Sequence, residues 1–224
     1  MKIIQNTGTE RVIDLIRPWL KPGHQLDMVT PTLSLFAFAE VVKEISTLAK
    51  VQLLLPQEGS ELKFLGNGVD RAARNRLQTR WLAKHLTEWI RDKAELRRAN
   101  GAVPQGTVVL RDANSRPLQV VLGSFAFSTD GLGLAPGNPL SLIQASETAD
   151  EAGLLSQWFD MQWTSLSAQP NAKPAVIESL QALAAHRDPF TIYSLILYNL
   201  FRERGEGLDE ERIVKSATGI RNTV

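Results

Sequence analysis

Residues 24–56 read HQLDMVTPTLSLFAFAEVVKEISTLAKVQLLLP, and three segments separate within them. His24 to Pro31 is an apolar strand with a polar residue at its end. Ser34 then stands at the start of SLFAFAEVVKEISTLAK, where a hydroxyl can accept from the first unpaired amides of a helix. VQLLLP (51–56) is a continuous apolar run of strand length bounded by turn residues. Strand, helix and strand in this order predict a βαβ unit. Two parallel strands need a crossover connection between them, and the helix supplies it.

Toward the N-terminus, Val12, Leu15, Ile16 and Leu20 recur at helical spacing in TERVIDLIRPWL. Thr9 or Thr7 is the expected cap, and Lys21-Pro22-Gly23 the stop. Toward the C-terminus, Gly59–Gly68 reads as a loop, and a long helix is expected over Val69–Lys93. Its apolar face would hold Ala73, Leu77, Trp81, Leu82, Leu86, Trp89 and Ile90. GAVPQG (101–106) breaks the chain. TVVLRD and PLQVVLG follow as two strands of a hairpin turned by Asn114 and Ser115. The glycine-rich loop LGLAPGNP leads to a last strand, LSLIQAS, and then to the helix TADEAGLLSQWFDMQWTSL. AQPNAKP reads as a linker, and only helical patterns come after it, in AVIESLQALAAH, PFTIYSLILYNLFRERG and LDEERIVKSAT.

The 224 residues are 43% hydrophobic and 22% charged, ordinary proportions for a globular protein with a substantial core. That length fits an α/β domain of roughly 150 residues with an appendage. There is no cysteine, which removes disulfides, thiolate metal sites and thiol nucleophiles, and fits a reducing compartment. MKIIQNTGTERVIDLI holds no long apolar core of a signal peptide, and no apolar run is long enough for a membrane span. A cytoplasmic location is expected. The net charge of +1 is unevenly spread. Between Gly68 and Arg98 nine Lys/Arg face four acids, whereas Asp150–Val224 carries ten acids and seven bases.

Residues 117–132, PLQVVLGSFAFSTDGL, form a strand that ends in Gly-Ser and passes into a small-polar turn. Together with the opening helix, DMVTP before SLFAFAEVV, and the closing aromatic helix QWFDMQW (157–163), this stretch resembles the phospholipase D-type phosphodiesterases. The resemblance covers roughly residues 1–166. It implies an α/β/α sandwich with a mixed, mostly parallel-cored sheet, and a site marked by Gly123, Ser124 and Ser128. In active members a His, any residue and a Lys begin one strand, and a Gly-Ser-x-Asn pattern ends the next. Counted back across the hairpin, that His and Lys fall near Pro104 and Gly106. The Asn falls at Ala126, and a later acidic residue falls near Leu140.

These departures bear on the chemistry the resemblance implies. The family's imidazole attacks phosphorus, while its Lys and Asn stabilise charge on the transferring oxygens. Proline, glycine and alanine offer neither function. None of His24, His85 and His186 stands in an H-x-K pattern: His24 reads as a turn residue, His85 as a solvated or partly packed helix residue, and His186 as a helix-end imidazole. No metal-ligand spacing occurs, and GLG (131–133) is only a fragment of a nucleotide-binding pattern. No cofactor is expected. The degenerate motif predicts a chain without phosphodiesterase activity.

The remaining functional feature is basic. Arg76, Arg80 and Lys84 fall four residues apart on the long helix, with Arg71 and Arg74 before them and Arg97 and Arg98 beyond. These seven residues are the expected phosphate contacts, with no means of reading sequence. The chain is further similar to the region ahead of the motor core in bacterial helicases, of DEAD/DEAH or Swi/Snf type, that carry a phospholipase D-like N-terminal domain. That similarity implies domains at 1–168 (phospholipase D-like) and 169–224 (a helical extension leading to the motor), an ATP-binding parent, and nucleic acid and the motor as partners. Two alternatives stand beside it. One is a dimerisation or docking module using the apolar helix 189–204. The other is a phosphodiesterase with unorthodox residues, such as Ser124 as nucleophile.

Overall fold

The structure, a computed structural model, describes residues 1–57, 62–70, 78–185, 193 and 196–198. Seven strands form one mixed sheet: β1 (Lys2–Ile4), β2 (Gln25–Val29), β3 (Lys50–Leu55), β4 (Ala94–Arg98), β5 (Gly106–Arg111), β6 (Pro117–Gly123) and β7 (Ile143–Ala145). Their order across the sheet is β1-β7-β6-β5-β2-β3-β4. β2 and β3 pair in parallel around helix α2 (Leu35–Ile45), as the βαβ reading requires. Ser34 caps α2, its hydroxyl accepting from the amides of Phe36 and Ala37. Such a cap contributes about 1 kcal/mol.

Parallel pairing is confined to β2-β3-β4, and the other four pairs are antiparallel. The sheet is therefore mixed but not mostly parallel. Of the antiparallel pairs only β5–β6 is a tight hairpin; β6 reaches β7 through a longer loop, and β2–β5 and β1–β7 join strands far apart in the chain. Two strands escape the sequence reading. β1 has only three residues. β4 follows helix α3 (Gln78–Lys93) with no break residue between them, and Ala94 and Leu96 turn to the core while Glu95 is exposed. The first helix is also shorter than expected. α1 spans Val12–Ile16 and passes into a 3-10 turn at Arg17–Trp19. Its free amide at Val12 is taken by Asn6 Oδ1 at 2.9 Å, not by Thr7 or Thr9.

One sheet face carries α1, α2, α3 and the helix α5 (Lys173–Ala184); Phe38, Leu53, Leu86, Val108 and Val176 lie in this larger core. The other face is covered by α4 (Ala149–Ser165), through Ala152, Phe159 and Trp163 over Val29, Leu54, Val109 and Val120. Thr148 and Glu151 form a capping box at the start of α4. The chain divides into two compact units, Met1–Ala184 and Ala185–Val224. Helix α5 thus belongs to the first. In the second, Ala185, residue 193 and residues 196–198 are described, the last four helical. The expected helix over 208–218, His186, and the 71–77 part of the long helix lie outside the described residues. Among those described, no helix is long and apolar enough to cross a membrane.

Candidate nucleic-acid interface and the cavity over the motif

The two stretches that carry the family resemblance meet in space. Thr30, at the end of β2, accepts from the amide of Phe127 at 2.8 Å, and the Ser34 amide donates to the Phe127 carbonyl at 2.9 Å. Asn6, in the left-handed region at φ 55°, donates to the carbonyls of Asp130 and Gly131 at 3.1 and 3.0 Å. Asparagine tolerates that backbone because its short amide bonds locally. From a third side, Thr129 donates to the buried Asp70 carboxylate at 2.6 Å. The Ser128 hydroxyl closes the turn by accepting from the Gly131 amide at 3.2 Å. Loop 124–131 is thus fixed by β2, by the N-terminal loop and by the residue just before Arg71.

Above it lies a cavity of about 440 Å³, lined among others by Pro104, Ser124, Ala126, Ser128, Asp130 and Asn138. It brings together four of the positions expected from the motif. Gly106 and Gly123 face each other across β5 and β6 beneath it. Among the described lining residues only Asp130 is ionisable. One of its carboxylate oxygens is buried without a hydrogen-bond partner. Leu140, where the resemblance puts an acid, is 88% exposed. Ser124 is exposed at the rim, with no histidine or lysine among the lining residues to take its proton. Among the described residues no cluster of three or more His, Asp or Glu is placed to hold a metal.

The basic residues divide differently from the sequence reading. Arg71, Arg74 and Arg76 lie outside the described residues. Arg80 and Lys84 fall on α3, one turn apart, Lys84 exposed and Arg80 partly so. Arg97 and Arg98 lie on β4 and point to opposite faces of the sheet. The Arg97 guanidinium packs over the Trp163 ring, 4.3 Å from its centroid, and donates to the Trp163 carbonyl. Arg98 donates to the carbonyl of Pro56 at 3.0 Å. Both are drawn into local contacts away from the α3 line. Trp81, assigned by spacing to the apolar face, is instead 57% exposed, whereas Trp89 is buried. The apolar helix 189–204 lies largely outside the described residues, and its Tyr193 and Ile196 are exposed.

The sequence reading also passes over a charged group inside the smaller core. Asp27, in mid-β2 and 2% exposed, accepts from Arg111 Nε at 2.6 Å. Arg111 reaches on to Asp160 of α4 at 2.7 Å. With its amide oriented to satisfy its neighbours, Gln52 donates to Asp27 at 3.1 Å and accepts from the Trp163 indole at 2.6 Å. Burial pushes the Asp27 carboxyl above its ordinary value, against the opposing pull of Arg111. A carboxylate in the middle of an otherwise apolar strand is the available signal. The group ties α4 to the sheet. The chain matches no family model and no curated protein, so the site stands on its own geometry.

Proposed function

We propose that this chain is a nucleic-acid-contacting accessory domain on a phospholipase D-like scaffold that has given up phosphodiester chemistry. One observation carries the reading: among the described residues, cations lie along α3 and none lines the cavity over the motif. Among the described lining residues a phosphate in that cavity would meet Asp130 and no cation, so none of them supplies attraction or charge stabilisation there. On α3 the bases Arg80, Lys84, Arg91 and Lys93 outnumber the acids Glu88 and Asp92, and Arg80, Lys84 and Arg91 fall along one edge of the helix. An exposed line of this kind attracts a polyanion without reading its bases. In a parent helicase such a domain would hold nucleic acid near the motor.

The test is fluorescence anisotropy with labelled oligonucleotides at rising salt. Binding is expected at low salt, falling linearly in log–log form as counterions are released. Lys84→Glu should weaken it several-fold and flatten the slope by about one to two charges. No binding to any duplex or single strand at about 50 mM salt would sink the reading.

A further inference from the structure

We propose that Trp81 is a stacking platform for unpaired bases, and that the polymer held along α3 is single-stranded nucleic acid. The inference rests on the phosphate-contact reading above and narrows it to one class of ligand. Two tryptophans on the same helix have opposite fates. Trp89 packs on Phe38 with ring centroids 5.6 Å apart and donates its indole N–H to the Ile45 carbonyl at 3.4 Å, as a core tryptophan does. Trp81 lies outside the core, which α3 fills with Leu82, Ala83, Leu86 and Ile90. A tryptophan, the largest apolar side chain, thus stands 57% exposed at position 81.

The indole is nevertheless held in place. The His85 ring meets it nearly edge-on, with centroids 3.8 Å apart and planes at 72°. His85 is in turn steadied by Glu88, with Nδ1 3.3 Å from the carboxylate. A ring fixed in advance loses little freedom when a base stacks on it. The cations lie to one side. At 3.6 residues per turn, Lys84 is about 60° round the helix from Trp81, and Arg91 and Arg80 lie a little farther in the same direction. A strand running along that edge would set its phosphates on these cations and turn its bases toward Trp81. Only unpaired bases have a free face to offer, because duplex bases are already stacked on one another. The arrangement reads no base edge, so it predicts binding that tolerates any sequence.

The experiment measures anisotropy for the full chain with oligothymidylate and oligouridylate of about twenty nucleotides, and with a duplex of the same length. The single strands are expected to bind more tightly than the duplex. Trp81→Ala should weaken single-strand binding about tenfold and leave duplex binding almost unchanged. Trp81→Phe, which keeps an aromatic face, should retain most of the affinity. The two oligonucleotides separate DNA from RNA as the preferred strand. The side chain is exposed, so both variants should melt with the wild type. If Trp81→Ala melts lower, Trp81→Leu, which keeps apolar bulk but has no aromatic face, carries the comparison with duplex and should show the same selective loss. Equal losses on duplex and single strand would overturn the platform, as would no loss on either while Lys84→Glu weakens both. Absence of all binding by the wild type would instead overturn the phosphate-contact reading, and the platform with it.

Discussion

A side chain at position 106 has no room. A Cβ there would lie 2.6 Å from the Phe125 carbonyl oxygen and 2.8 Å from its ring. Its partner across the strands, Gly123, has φ +141°, and a Cβ on it would sit 2.2 Å from the Leu142 carbonyl. The glycines let Phe125 and residue 142 close over the end of the hairpin. The family resemblance puts a lysine near 106, so the departure there is built into the packing and is more than one lost side chain. Gly106→Ala is expected to cost about 1–3 kcal/mol, because backbone must move. Urea denaturation would measure it, and a cost near zero would show that Phe125 yields freely. By sequence, Gly106 reads as the end of a chain break. It is the first residue of β5, and nothing in GAVPQG tells a glycine that ends a loop from one that lets another residue close over it.

At the scale of elements, α4 is joined to the sheet by charge as well as by Phe159 and Trp163. Arg111 serves two carboxylates, Asp27 beneath it and Asp160 on the helix. Removing it leaves Asp27 buried beside Gln52 with no bonded cation, Lys50 acting only from farther off, so Arg111→Met should cost about 3–5 kcal/mol at neutral pH. Adding Asp27→Asn to that variant should recover part of the loss, since no buried charge then remains. The pH dependence follows from the raised Asp27 carboxyl. A raised acid binds its proton more tightly in the folded state, so its contribution is fully present below its ordinary 3.8 and is lost as pH rises through the raised value. In Arg111→Met the opposing pull is gone and the carboxyl rises further. The penalty should therefore shrink as the pH falls toward about 4, whereas a packing defect would not change with pH. Denaturation curves of both proteins across that range decide it. Of these elements, β2, α2, β3 and the hairpin were legible, because each has a cap, a turn or an uninterrupted apolar run. β4 was not, because helical spacing runs straight into AELRR. Nor was the exposure of Trp81: spacing names the residues near an apolar face but does not set where the face ends.

For the molecule as a whole, composition misleads at 168–174. AQPNAKP has the residues of a flexible linker, and the expected division falls there. In the fold the segment is a tight turn: the Gln169 amide donates to the Leu166 carbonyl at 3.1 Å, and its side chain donates to Asn100 at 2.8 Å. Lys173 then reaches the Arg91 carbonyl on α3 at 3.0 Å. Proline and asparagine serve a tight reversal as well as a tether, and only the partners beyond distinguish them. The reversal lays α5 along α3, where Val176 and Leu180 are fully buried. Each such side chain contributes about 1.5–3 kcal/mol by burial, against a typical domain stability of about 5–15 kcal/mol. A chain ending at Ala168 would lose both contributions and bare the apolar side of α3 that they cover. A chain ending at Ala184 keeps the whole first unit. The shorter chain is expected to melt over a broad range with exposed apolar surface, and the longer one to unfold in a single sharp transition. Circular dichroism melts with a hydrophobic dye would separate them. If the two melt alike, α5 lies on the unit without supporting it, and the boundary belongs where the composition put it.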